Sequence, residues 1–299
     1  MKNYARTDLA CECMDENGGQ TEGIEQSERM VGDFLIRTAR VVSEERAGQM
    51  GIPCGTYLTV ECGRISVLDR ESEDLLVRLL AGELGGIAER VSGKRLDSEL
   101  SVFVAGLGNA SLTADAIGPQ TVSKLTVTRH LREHETDLFE MTGCCALSAL
   151  APGVLGQTGI ETLEIMRGAI ECVDPDVVIA IDALAARDCD RLAATVQISD
   201  VGIIPGSGVG NHRGAITRET LGVPVIAVGV PTVVDSSTLV YDALTRAGIT
   251  SVEEPLRRVL ENGRSFFVSL KESDLVTDRV ATILSRAIGM AFAEDLSAL

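Results

Sequence analysis

Two aspartates stand out by their setting in the chain. Asp182 closes the apolar run Val177-Val178-Ile179-Ala180-Ile181. Asp115 is the only ionisable group in the loop Gly106-Leu107-Gly108-Asn109-Ala110-Ser111-Leu112-Thr113-Ala114-Asp115-Ala116-Ile117-Gly118-Pro119. Two close carboxylates cannot both ionise cheaply, so they share a proton; one then takes a proton from water while the other gives one to a leaving group. Asp115 and Asp182 would form such an acid–base pair if they met at adjacent strand ends. The plainer alternative for Asp182 is a cap on a following helix.

The other chemistry-bearing residues are weaker signals. Two further glycine loops carry Gly156, Gln157 and Thr158 (Pro152 to Gly159) and Gly206, Ser207, Gly208 and Asn211 (Pro205 to Asn211). Such loops present backbone N–H groups to a carbonyl, a phosphate or a peptide, which also admits a nucleotide phosphorylase reading. Neither nucleotide fingerprint is complete: Ser111 stands where G-x-G-x-x-G needs its third glycine, and Ala88 stands where a P-loop ending in Gly93-Lys94 needs its first. Ser207 lies between Pro205 and Val209 rather than in G-x-S-x-G. His130 and His134 would share a helical face, but H-E-x-x-H is missing and no metal is expected. Arg129, Arg132 and Arg187 are candidates to pair with carboxylates or to hold a substrate acid.

The elements that must position these residues alternate along the chain. Strands are predicted at 56–60, 100–105, 177–181 and 223–228. Helices are predicted after Asp69, after the capping box Thr158-x-x-Glu161, after Asp235 and over Val276 to Ile288. This pattern predicts an α/β fold: a doubly wound, mostly parallel sheet with helices on both faces, its site at the carboxyl ends of strands. Residues 1 to about 30 are polar and acidic and predict a mobile N-terminal arm ahead of one domain.

Composition narrows the partners. Of 299 residues, 27 are Lys or Arg and 44 Asp or Glu, a net charge of −17. That balance argues against direct binding to nucleic acid or to an anionic membrane. Aromatics are 3% and Trp is absent, so stacking platforms for single strands are not expected. No apolar run is long enough to span a bilayer, and the first residues are not a secretory signal, so a cytoplasmic protein is expected. The 8 cysteines include no C-x-x-C and are expected to be reduced.

The chain resembles the germination proteases of spore-forming bacteria. The resemblance rests on Arg6-Thr7-Asp8-Leu9-Ala10, the 106–119 loop, Pro152 to Thr162, Ile181-Asp182-Ala183-Leu184-Ala185-Ala186-Arg187, Pro205 to Asn211 and Gly222 to Asp235. It implies an atypical aspartic endopeptidase on a fold like that of the hydrogenase-maturation peptidases, with Asp115 and Asp182 as the catalytic pair and no cofactor. Small acid-soluble spore proteins are the implied substrates, cut after an acidic residue, and a homotetramer in the forespore or spore core is the implied setting. Family members are zymogens, and Thr7-Asp8-Leu9-Ala10 is similar to their substrate pattern. The implied organisation is a propeptide 1–8, cut at Asp8–Leu9, before a peptidase domain 9–299 whose first part, about 9–30, is the arm. The alternatives are a metal-dependent maturation peptidase of the same fold and a non-catalytic binding protein on that scaffold.

Overall fold

The structure is a computed structural model that describes residues 7–16, 22–206, 214–249, 253–262 and 266–293. Its frame is one mixed sheet. The strands are β1 (Ile24–Val31), β2 (Phe34–Val41), β3 (Gly55–Glu61), β4 (Ser101–Gly106), β5 (Ala146–Leu150), β6 (Val177–Ala185), β7 (Thr195–Ser199), β8 (Val225–Asp235) and β9 (Phe267–Ser269). They are ordered β1-β2-β3-β7-β8-β6-β4-β5, with β9 pairing β8.

The half that runs β5-β4-β6-β8 is parallel, as the unbroken apolar runs of β4 and β6 require of strands buried on both faces. Helix Arg70–Ser92 and helix Ser273–Phe292 cover one face, through Leu76, Leu80, Leu84, Ile283 and Leu284. Met166 of helix Thr162–Val173 seals part of the other face against Phe103, Val178 and Val225. The α/β expectation with helices on both faces therefore holds. The other half, β7-β3-β2-β1, is antiparallel; it contains the predicted strand at 56–60 as β3 and adds β7, β2 and β1, which were not predicted.

Local signals set several boundaries as expected. Asp69 accepts from the Ser72 N–H at 2.8 Å; Gly93, not among the expected caps, closes the same helix with φ +71°. Asp235 caps helix Ser236–Arg246 by accepting from Ser237 and Thr238 N–H. Two expectations are corrected. The capping box is not Thr158 with Glu161: Glu161 is itself the N-cap of helix Thr162–Val173 and exchanges bonds with Glu164. Thr158 instead ends the short helix Leu155–Thr158, because Gly159 turns the chain at φ +71°. The arm expected to be mobile over about 9–30 carries helix Ala10–Glu16 and strand β1, which pairs with β2 over its whole length. Leu9 is fully buried, so apolar burial and strand pairing hold this segment where its acidic composition alone favoured solvent. Among the described residues no helix is long and apolar enough to cross a membrane.

Candidate active site

Asp182 is not a helix cap. It lies inside β6, three residues before the strand ends at Ala185, and is 4% exposed. Its Oδ1 accepts the N–H of Ala183 at 3.0 Å. In the order β5-β4-β6-β8 the winding reverses between β4 and β6, where doubly wound sheets open a crevice. There Gly106 pairs with Ile181, and the Leu107 N–H donates to the Ile181 carbonyl at 2.8 Å. The loop that leaves β4 ends in a 3-10 turn, Thr113–Asp115, packed against β6 and β8.

That turn is held from several sides. Asp115 Oδ2 accepts from the Asn109 N–H at 2.9 Å. Thr277 Oγ1 donates to the Thr113 carbonyl at 3.2 Å, and Thr232 Oγ1 to the Ala114 carbonyl at 2.6 Å. Thr232 reaches it because of a bulge: Leu184 pairs with Pro231 and Ala185 with Val233, which leaves Thr232 over. A bulge re-aims one side chain, here onto the Asp115 turn. Gly108 sits at φ +107°, and a Cβ there would stand 2.1 Å from the Asp115 carbonyl oxygen, so glycine is required.

On the face of the sheet that carries Asp182, the register sets a row. Asp182 pairs with Gly229, and Gly229 pairs with Gln197. Residues paired across strands point the same way, so Asp182 and Gln197 flank a position with no side chain, their Cα atoms roughly 10 Å apart. Leu184 leans into that gap: a Cβ on Gly229 would meet Leu184 Cδ1 at 2.4 Å. A cavity of about 250 Å³ opens here, lined among others by Asp8, Asp182, Gln197, Tyr57, Gly206 and Gly229. Asp115 lies outside its lining. Burial, with Asp200 behind it, pushes the Tyr57 hydroxyl above its ordinary range, so it faces the cavity as a neutral phenol and donates to the Pro53 carbonyl at 2.8 Å.

The N-terminal segment lies across this row. The Asp8 N–H donates to the Ala185 carbonyl at 2.9 Å, and the Ala185 N–H donates back to Asp8 Oδ2 at 2.9 Å. Leu9 packs among Cys11, Leu184, Ala186, Leu192 and Val234. Gln197 holds the chain on both sides of Leu9: its Oε1 accepts the Ala10 N–H at 2.7 Å and its Nε2 donates to the Asp8 carbonyl at 3.2 Å. Glu12, 2% exposed, accepts from the N–H of Arg187 at 2.8 Å and of Asp188 at 3.0 Å, and from the Thr7 hydroxyl, with Arg191 Nε at 3.5 Å. Burial pushes the neighbouring Cys11 thiol up, against the opposing pull of Arg191.

The other sequence-derived candidates divide. Asn109 is joined to the 152–159 loop, its Oδ1 accepting from Gln157 Nε2 at 2.6 Å. Gly106 allows close approach, since a Cβ would stand 2.3 Å from the Gly118 carbonyl oxygen. Gly156 faces open space, and Thr158 bonds within its own turn, to Val154 and Ile160. Arg187 meets Glu12 twice, its backbone N–H donating to Glu12 Oε2 and its Nη2 to the Glu12 carbonyl, each at 2.8 Å. Ser207, Gly208 and Asn211 lie outside the described residues. His130 and His134 do share helix Arg129–His134 and are both exposed. Among the described residues no group of three or more His, Cys, Asp or Glu side chains is arranged to hold a metal ion. Gln197, Glu12, Thr232 and Thr277 were not singled out from sequence. Only the alternation of Thr195-Val196-Gln197-Ile198-Ser199 marked Gln197 as one of the polar positions on a strand face.

Residues 5–282 match the family model described as germination protease. A germination protease of Caldanaerobacter subterraneus subsp. tengcongensis is 39% identical over 98% of this chain and 95% of its own length. Those of Clostridium acetobutylicum and Bacillus cytotoxicus are each 40% identical, over 91% and 99% of this chain and 82% and 83% of their own. A solved NiFe hydrogenase maturation protease, HycI from Thermococcus kodakarensis, aligns over 68% of this chain and 98% of its own, at 16% identity and a TM-score of 0.33.

Proposed function

The chain belongs to the germination protease family, and from that premise we propose that it is a self-processing aspartic endopeptidase of small acid-soluble spore proteins. In this reading Asp115 and Asp182 share one proton. One takes a proton from a water that attacks the peptide carbonyl; the other protonates the departing amine, and no covalent intermediate forms. The bond cut after an acidic residue is the Asp8–Leu9 bond in the zymogen and its counterpart in the spore protein. The same reading carries homotetrameric assembly, a place in the spore core and a reaction that runs without metal.

The observation that carries this reading is the seating of Thr7-Asp8-Leu9-Ala10. An acidic residue followed by a buried apolar one and by Ala lies on the cavity that Asp182 lines, bonded to the strand that bears Asp182. A segment that blocks a cleft while presenting a cleavable bond to it is what a zymogen requires. Mass spectrometry of a small acid-soluble spore protein incubated with the chain lacking residues 1–8 tests the reading. One cut after an acidic residue, abolished by Asp182→Asn and indifferent to EDTA, is the expected result. A cut lost only with EDTA would transfer the chemistry to a metal. A folded but inert chain would leave a binding protein.

A further inference from the structure

We propose that Gln197 is a further catalytic residue, whose side-chain amide stabilises the oxyanion formed when the Asp8–Leu9 bond is cut. The inference rests on the reading of the chain as a self-processing aspartic peptidase, and adds to it a fixed N–H donor beside the proton-sharing pair. When water adds to a peptide carbonyl, the carbonyl π pair moves onto oxygen. Two carboxylates that handle protons offer no N–H donor to that oxygen. A fixed donor aimed there is worth far more in a partly dry site than in water.

Gln197 has that aim. Its Nε2 lies 3.2 Å from the carbonyl oxygen of Asp8, the oxygen of the bond to be cut. Its amide cannot face the other way, because Oε1 accepts the Ala10 N–H at 2.7 Å and only the oxygen of a carboxamide accepts. One side chain thus grips the peptide on both sides of Leu9 and orients its own donor in doing so. The backbone under Gln197 is equally placed. It sits on β7, paired on one side with Thr59 of β3 and on the other with Gly229 of β8, beyond which lies Asp182. The strand lattice therefore sets donor and acid on opposite sides of the same gap. Leu184, in that gap, packs on Leu9 and fixes the depth at which the peptide lies.

The step balances without any further reactant. The oxygen of water bonds to the Asp8 carbonyl carbon, and one of its protons passes to the aspartate pair. The negative charge on the former carbonyl oxygen is held by Gln197 Nε2–H. As the carbon–nitrogen bond breaks, that charge returns to the carbonyl, and the Leu9 nitrogen takes a proton from the pair. The products are a carboxylic acid at Asp8 and a free amine at Leu9.

Self-cleavage of the full chain is followed by intact mass, with hydrogen exchange at the Ala185 and Arg187 amides as a separate reading of docking, since these bond to Asp8 and Glu12. Gln197→Glu keeps an acceptor for Ala10 but has no donor; Gln197→Met fills the same space with neither. Removing one such donor slows the chemical step by roughly 100- to 1,000-fold. Both variants are expected to cut that much more slowly while the two amides stay protected in Gln197→Glu. A Gln197→Glu chain that cuts at the wild-type rate overturns the proposal. So does a slowing no larger than the loss of amide protection, because Gln197 would then only hold the segment. Asp182→Asn runs alongside: if it cuts at the wild-type rate, the aspartate reading fails, a result distinct from either outcome for Gln197.

Discussion

Replacing Leu9 by Ala releases the N-terminal segment without touching a charge or a hydrogen-bonding side chain. Leu9 is fully buried against Leu184, Ala186, Leu192 and Val234 when docked. Truncating a buried Leu to Ala costs about 2–5 kcal/mol, the larger values where the walls cannot collapse. Here one wall, Leu184, also borders the 250 Å³ cavity and has room to move, which places the cost toward the lower end, about 2–3 kcal/mol. At about 1.4 kcal/mol per decade, the ratio of docked to released segment falls roughly 30- to 150-fold. The loss is confined to the docked state, because the segment outside its groove exposes either side chain.

Hydrogen exchange reads that ratio directly at the amides of Asp8, Ala185, Arg187 and Asp188, each of which bonds across the segment boundary. In Leu9→Ala these four are expected to accelerate together. The Leu107 amide, bonded to Ile181 inside the sheet, is expected to keep its rate. Acceleration of less than about threefold at the four amides would refute the argument that Leu9 burial holds the segment. Equal acceleration at Leu107 would show that the segment does not open separately from the sheet.

Further outcomes follow from other residues. Glu12→Ala removes a buried acceptor and strands the Arg187 and Asp188 N–H groups, so docking is expected to weaken by about 1–3 kcal/mol, read by limited proteolysis near residues 7–16. Thr232→Val removes the hydroxyl that holds the Ala114 carbonyl; self-cleavage is expected to slow up to about tenfold, at the scale of one hydrogen bond, and Thr232→Ser to restore it. Gly108→Ala places a Cβ 2.1 Å from the Asp115 carbonyl oxygen, and both the thermal midpoint and self-cleavage are expected to fall. Burial pushes the Cys62 thiol from 9.0 up to about 12. The unfolded chain therefore loses that proton first, so its contribution is complete below about pH 9 and declines above it, by up to about 1.4 kcal/mol per pH unit. Urea unfolding at pH 8 and pH 10 is expected to show a smaller drop in Cys62→Ala than in wild type.

What was legible in the sequence was local. Asp69 opens its helix because a cap acts within a few residues. The runs in β4 and β6 identify strands buried on both faces, and the winding rule places Asp115 and Asp182 at one end of the sheet. Of the antiparallel half only β3 was legible, as the strand expected at 56–60. Only Ile24 of β1 is buried, so its residues show no alternation to read. The docking of Ala10–Glu16 depends on Ala185, Arg187 and Gln197, far along the chain, and no local pattern encodes such contacts. Gln197 gains its meaning from register alone: its neighbour across β8 must lack a side chain, and the residue beyond must be Asp182.

The central claim is that the chain's own aspartates cut the bond its N-terminal segment presents. Intact mass of the full chain over time, for wild type, Asp115→Asn and Asp182→Asn, tests it most directly. The account predicts that the wild type loses residues 1–8 in a single step while both variants keep them. Release of the same eight residues by either variant at the wild-type rate would contradict it.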